Sequence, residues 1–302
     1  MARISRRDFL AGMAAAGAAA VGGRIAAAGG APAPAVRGSD LVTLGKTEAR
    51  PTVLGVGTGT RGREQREMGS DAFTRLVRHA LDRGVRYIDT ADLYMMHPFV
   101  RLATKSVKRD EYFIQTKTLA KHPVVARADI ERFRRELRTD YLDSVLMHRM
   151  QKPDWPETMR PVLDVLLEEK EKGRIRAVGV SCHGWDALAE SVDCPDLDVH
   201  LVRINPFGKK MDGKPEDVAG QMKKMHAKGR GVIGMKVYGE TGLDSRQKRR
   251  QSLAYVLGLG CVDCFTIGFT EPDQIDETLD LIEEASKQVR TGRAPAAAPF
   301  AA

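Results

Sequence analysis

From residue 53 to residue 287 the chain alternates between two hydrophobic rhythms. Short apolar runs such as IRAVGV (175–180) and GVIGMK (231–236) are separated by longer stretches whose apolar residues recur every three or four positions, as Phe73, Leu76, Val77 and Ala80 do. Continuous apolar runs suit parallel strands buried on both faces, and three-four spacing marks amphipathic helices. The pattern predicts strands over 53–57, 85–90, 112–117, 142–147, 175–180, 198–204, 231–236 and 262–267. Helices are predicted over 70–83 (capped by Ser70), 98–106, 127–139, 156–172, 184–192, 215–228, 245–258 and 271–287. Eight strand–helix units in about 250 residues predict an α/β fold, a (β/α)8 TIM barrel, with an open doubly wound sheet as the alternative arrangement. Ahead of the barrel, 41–44 and 51–56 read as a short N-terminal hairpin.

The stretch VLGVGTGTRG (53–62) brings glycines to 57, 59 and 62, the spacing of a dinucleotide fingerprint. It runs into polar TRGREQRE, where the pattern shows no immediate helix, and no acid follows on a second strand at the right distance. It is read as a strand and loop, not as a Rossmann turn.

The termini stand apart from this rhythm. Residues 1–35 hold Arg6-Arg7 followed by Phe9-Leu10, a weakly hydrophobic Ala/Gly run, and small-residue sites at 26–28 and 33–35. This resembles a bacterial twin-arginine export signal and linker. The resemblance implies passage through the twin-arginine export machinery in a folded state and a periplasmic or secreted address. Residues 40–287 carry the barrel, and 288–302 form an Ala/Pro-rich tail expected to be disordered.

Composition changes the picture only modestly. The formal charge is +8 over 302 residues. Arg3, Arg6, Arg7 and Arg24 against Asp8 contribute three of those charges. The remaining bases alternate with acids, as in ERFRRELR (131–138), which describes a solvated helix face and excludes a nucleic-acid stripe. No stretch of the mature chain is long and apolar enough for a stable membrane span. Cys261-x-x-Cys264 lacks a second pair, and Cys264 falls inside an apolar strand, so both cysteines read as ordinary buried residues and no metal site is assigned.

In a barrel the C-terminal ends of the strands meet at one mouth, where the chemistry is concentrated. The second strand, in VRYIDTADLY, delivers Asp89 and then Tyr94. The third delivers Lys117, and the fourth delivers His148. A tyrosine hydroxyl ordinarily titrates near 10, and a neighbouring lysine ammonium is expected to lower it. Asp89 would hold the lysine, and His148 would orient a substrate oxygen. Together the set suits polarisation of a carbonyl.

These residues, with GVRYIDTADLY, RRELRTDYLDSVLMH and EEKEKGRIRAVGVS around them, resemble the aldo/keto reductase superfamily over roughly residues 40–287. The resemblance implies an NAD(P)-dependent oxidoreductase that transfers hydride between nicotinamide and a small carbonyl or alcohol substrate. Tyr94 would be the proton donor, assisted by Lys117, Asp89 and His148. It further implies cofactor contacts from Ser181, Cys182, Arg203, Met235, Lys236, Gly268, Thr270, Gln274 and Glu277. Several positions depart from the family pattern. Met95-Met96-His97-Pro98 replaces the usual residues after the tyrosine. Cys182 stands where an asparagine is common, Arg203 where a glutamine is common, and Met235 where an aromatic usually stacks. Phe269 and Gln274 stand where bases usually meet a 2′-phosphate, so the non-phosphorylated cofactor is not disfavoured. These departures leave a second reading open: a non-catalytic exported barrel serving as a binding or accessory subunit.

Overall fold

The computed structural model describes residues 35–292, so the twin-arginine reading and the part of the tail beyond 292 lie outside the described residues. Eight parallel strands close into a barrel in sequential order: β1 (Leu54–Gly57), β2 (Tyr87–Asp89), β3 (Phe113–Thr118), β4 (Leu142–Met150), β5 (Ile175–Cys182), β6 (Val199–Arg203), β7 (Gly231–Met235) and β8 (Cys264–Gly268). The last strand closes on the first, with Gly57 beside both Asp89 and Gly268. An open doubly wound sheet is thereby ruled out.

Ten helices cover the barrel among the described residues: α1 (Gly62–Glu67), α2 (Gly69–Asp82), α3 (His97–Thr104), α4 (Pro123–Leu137), α5 (Trp155–Thr158), α6 (Arg160–Glu171), α7 (Trp185–Ser191), α8 (Pro215–Ala227), α9 (Arg246–Gly258) and α10 (Pro272–Arg290). Three details differ from the sequence pattern. A helix does start at Gly62, directly after the glycine-rich loop. The single helix expected over 156–172 is two, because Pro161 starts a new helix and cannot donate into the one before. The last helix continues past 287 to Arg290, with Val289 packed on the core, so residues 288–290 are not part of a tail.

Strand alternation sorts the side chains into two cores. Outward residues such as Val56, Ile88, Ile114 and Val178 pack under the helices. Inward residues, among them Tyr87, Phe113, Leu146, Val199, Leu201 and Ile233, fill the barrel. Tyr87 and Phe113 meet edge to face, with ring centroids 5.1 Å apart.

The N-terminal hairpin is reduced to a bridge between Leu41 and Thr52 with backbone bonds at Val42–Pro51 and Leu44–Ala49. It works as a plug. Leu44 and Ala49 join the inner core, and Gly45, at φ 55°, lies where a Cβ would sit 2.3 Å from the Gly231 nitrogen. With one end stoppered, the polar layer of the barrel sits at the other end, where β2, β3 and β4 finish.

Candidate active site

Three successive inward positions on β3 climb toward the mouth: Phe113, Gln115 and Lys117. Gln115 Nε2 donates to the Tyr87 hydroxyl (2.9 Å) and to Asp89 Oδ1 (2.8 Å). Lys117 Nζ donates to the same carboxylate oxygen at 2.6 Å and to the Thr90 carbonyl at 2.8 Å. Lys117 is 1% exposed and Asp89 5%. A lysine this deep stays charged only when paired, and Asp89 is the partner that the interior supplies.

Tyr94 arrives on a short 3-10 turn, Asp92–Tyr94, that follows β2. Met95 ends the turn in the left-handed region at φ 56°. Three contacts hold the turn: Arg132 donates to Asp92 (2.7 Å), Arg66 donates to the Tyr94 carbonyl (2.6 Å), and Gly59 lies flat against the ring. A Cβ at Gly59 would stand 2.6 Å from Tyr94 Cζ, so any side chain there would displace the tyrosine. The unusual residues after Tyr94 are anchored as well. Met96 is fully buried, and His97 bridges Glu136 (2.7 Å) and Thr116 (2.8 Å) at the start of the shortened α3.

The Lys117 ammonium lies 5.0 Å from the Tyr94 ring centroid, and the Tyr94 hydroxyl lies 3.5 Å from His148 Nε2. That separation is long for a hydrogen bond and leaves both groups aimed at one position in the cleft. Burial raises the Tyr94 pKa above its usual 10; Lys117 pulls it down but by less. This corrects the sequence-based expectation of a lowered tyrosine: the phenol is held protonated. His148 is 3% exposed and is pushed down to about 2, first by burial and then by Lys117, His183 and Arg149. It is therefore a neutral ring at any working pH. Its Nδ1 is buried without a partner.

Asp89, Tyr94 and His148 line an open cleft together with Gly57, Gly59, Thr60, Leu93, Arg149, His183, Met235, Lys236, Thr266 and Gly268. A second cleft shares Gly268 with it and runs past Arg61, Tyr238, Arg249, Gln274, Glu277 and Thr278.

The nine cofactor-side candidates divide. Met235, Lys236 and Gly268 line the first cleft; Gly268, Gln274 and Glu277 line the second. Ser181 is buried next to the mouth and accepts from the Arg149 amide at 3.1 Å. Cys182 does not reach the mouth: its thiol donates to the Ala187 carbonyl (3.3 Å) under α7 and is raised by burial. Arg203 is locked onto Asp212, whose side chain is 1% exposed, with Nε at 2.8 Å from Oδ2. Thr270 lines neither cleft, and its amide donates to Gln274 Oε1 at 2.9 Å within the cap of α10. Glu277 takes both its oxygens to Arg249 Nη2, at 2.9 and 3.0 Å.

His183 and Arg149 line the cleft but are absent from the sequence-derived set. Period-two alternation along β5 carries the signal for His183. If Ser181 faces the mouth, so does residue 183, and residue 182 faces the helices. Arg149 has no such signal, because it sits at an irregularity that only the structure shows. Cys261 and Cys264 fall in different cores, outer and inner, with both thiols raised by burial.

A sequence model described as the aldo/keto reductase family matches residues 53–257. The chain belongs to that family. Its curated relatives include the aldo-keto reductase YhdN of Bacillus subtilis, 30% identical over 47% of this chain and 46% of the relative. They also include the methylglyoxal reductase DkgB of Escherichia coli O157:H7, 33% identical over 45% of this chain and 54% of the relative. The chain thus spans about half the length of the curated relatives it matches. Among solved structures, the holo form of an aldo-keto reductase from Bacillus halodurans superposes with a TM-score of 0.68 at 18% identity, over 85% of this chain and 97% of that one. That likeness concerns the barrel alone. Within this family member, Asp89, Tyr94, Lys117 and His148 lie together at one mouth, and the two clefts beside them share Gly268.

Proposed function

We propose that the chain is an NAD(P)-dependent carbonyl reductase. The observation that carries this reading is the convergence of the Tyr94 hydroxyl and His148 Nε2, 3.5 Å apart, above the buried Lys117–Asp89 pair. The residues fit a nicotinamide dinucleotide. The cleft beside Tyr94 continues into the second cleft through Gly268, and two buried polar atoms there, Thr266 Oγ1 and Arg249 Nε, lack protein partners. When bound, the nicotinamide supplies the hydride.

The protein's own part is proton delivery and orientation. Tyr94, kept protonated by burial, donates its O–H to the carbonyl oxygen. Neutral His148 offers a second hydrogen bond to that oxygen from Nε2 when Nε2 carries the ring proton. Lys117 does not touch the substrate. Its ammonium limits how far burial lifts the tyrosine, and Asp89 fixes its position. A purely accessory barrel has no use for a buried ion pair under an aimed phenol, since such pairs stabilise no better than apolar packing.

NADH is accepted alongside NADPH on this reading, because Arg61 and Arg249 in the second cleft already pair with Glu64 (3.1 Å) and Glu277. Export by the twin-arginine route to the periplasm or beyond belongs to the same proposal and rests on Arg6-Arg7 and the residues after them. The test is aldehyde-dependent oxidation of NADPH and NADH by the purified chain, with fluorescence titration of each cofactor. No turnover with any aldehyde overturns the reductase reading, and a strong preference for NADPH overturns the assignment of cofactor tolerance. Export is read by fractionating cells that carry Arg6→Lys with Arg7→Lys, which is expected to hold the protein in the cytoplasm.

A further inference from the structure

Among the described residues, each charged side chain lining the mouth has a partner except one. Asp89 is the single carboxylate lining the catalytic cleft, and Lys117 neutralises it at 2.6 Å. Lys236, which also lines the cleft, pairs with Glu240 at 2.8 Å and donates to Thr60 at 3.0 Å. Arg149 lines the same cleft with an exposed side chain that makes no hydrogen bond or ion pair among the described residues.

The backbone goes out of its way to place it there. Between the pairings Met147–Val180 and Met150–Cys182, β4 advances three residues while β5 advances two, so β4 carries one extra residue. Arg149 sits in that bulge at φ 63°, in the left-handed region that non-glycine residues avoid. Its amide is tied to buried Ser181 Oγ at 3.1 Å. A bulge beside an active site re-aims a side chain, and here the re-aimed side chain directly follows His148. Strain of this kind persists where the surroundings enforce it, and it clusters at ligand clamps.

The cofactor does not account for the free guanidinium. The second cleft opens along β7, β8 and the loops after them, and β4 stands across the closed ring from β8. What remains within reach of Arg149 is the substrate. On the turn after β2, Leu93 lines the same cleft and is 45% accessible.

We propose that Arg149 is a specificity-determining residue and that the substrate is a carbonyl compound with an apolar body and a carboxylate. The carboxylate lies on the guanidinium as a charge-assisted pair while the carbonyl oxygen sits between Tyr94 and His148. This rests on the carbonyl-reductase reading and adds the substrate class to it.

The test compares para-carboxybenzaldehyde with its methyl ester. The acid is expected to be favoured in kcat/KM by roughly tenfold or more, chiefly through KM, because a charge-assisted pair is lost in the ester. Arg149→Gln is expected to collapse the acid-to-ester ratio about tenfold, and Arg149→Lys to keep part of it because its charge has no fork. Circular dichroism and NADPH titration of both variants check the fold and the cofactor site. Equal turnover of acid and ester by the parent protein overturns the proposal. So does a ratio that survives in Arg149→Gln, or a loss that appears in NADPH affinity instead. If neither of these aldehydes nor any other is turned over, the reductase reading fails by itself. Calorimetric titration of the two compounds then decides the carboxylate site: binding of the acid that Arg149→Gln abolishes supports it, and equal or absent binding overturns it.

Discussion

The two halves of the barrel mouth are built to different standards. On the β2–β4 side, Asp89, Gln115 and Lys117 are joined at 2.6 to 2.8 Å, Tyr94 and His148 stand 3.5 Å apart, and the Lys117 ammonium links the two groups 5.0 Å from the Tyr94 ring centroid, with almost no solvent. On the β5–β8 side the candidate contacts are scattered. Cys182 faces the helices, Arg203 is held by Asp212, and Gln274 caps its own helix. Proton transfer needs a few atoms fixed to within tenths of an ångström, so it tolerates no drift in residue identity. A dinucleotide presents many atoms over a long cleft, and backbone and glycine surfaces do as well there as named side chains. The halves therefore differ in how much chemistry each residue bears.

That contrast breaks first at Tyr94. Tyr94→Phe removes the proposed proton donor and leaves the ring beside Gly59. Turnover with NADPH and an aldehyde is expected to fall about 10²- to 10⁴-fold, with cofactor affinity within twofold of the parent. A residual rate close to the parent's would move proton donation elsewhere, and equal losses in turnover and affinity would dissolve the distinction between the halves.

Lys117→Met comes next. It leaves Asp89 buried with Gln115 as its sole side-chain donor, a change expected to cost about 3 kcal/mol in urea unfolding. The double variant with Asp89→Asn should recover part of that. A structural effect alone would not move a pH profile. Because Lys117 lowers the tyrosine, its loss should shift the alkaline limb of the reduction rate to higher pH. An unmoved limb would confine Lys117 to a structural role.

The β2–β4 half was also the more legible in sequence. Asp89, Lys117 and His148 end apolar runs, and a strand end in a barrel has one destination. The barrel itself followed from counting such runs. The misreadings have local causes. Helix α1 (GREQRE) has no apolar stripe to betray it. Strands β4 and β5 run on to Met150 and Cys182 through polar residues that the pattern assigned to loops. Residue 182 was given to the cofactor although alternation from Ser181 turns it away. Arg149 depends on a bulge, which no periodicity marks. The sign of the Tyr94 shift depends on a balance of burial against charge that needs coordinates.

Acid stability separates the mouth from the rest by a smaller margin. His148 sits at the mouth, depressed to about 2; His200 lies away from it, depressed by burial to about 4 while bonded to the Ser191 carbonyl. Unfolded, each ring titrates near 6.5. Between pH 6.5 and about 4 the unfolded chain therefore takes up protons that the folded one refuses, and stability falls as pH falls. The slope is at most about 1.4 kcal/mol per pH unit for each ring. Urea midpoints at neutral pH and at mildly acid pH, above the range where ordinary carboxylates titrate, should show the loss. Replacing His148 or His200 by Gln should flatten the curve separately, and a parent curve that is flat or rises toward acid would contradict the buried neutral rings.

The smallest effect tests the looser half. Met235 lines the cleft, and on the reductase proposal it stands beside the nicotinamide, where a thioether packs with less directional gain than an aromatic face. Met235→Tyr is expected to tighten NADPH and NADH alike by about fivefold, the equivalent of about 1 kcal/mol for an aromatic pair. The same substitution should leave the alkaline limb set by Tyr94 in place, because nothing on β7 belongs to the proton-transfer set. Tightening without a shift in that limb would show that the two halves can be tuned apart. A coupled change, with affinity and pH profile moving together, would show that the cofactor side positions the tyrosine, and the division drawn between the halves of the mouth would have to be given up.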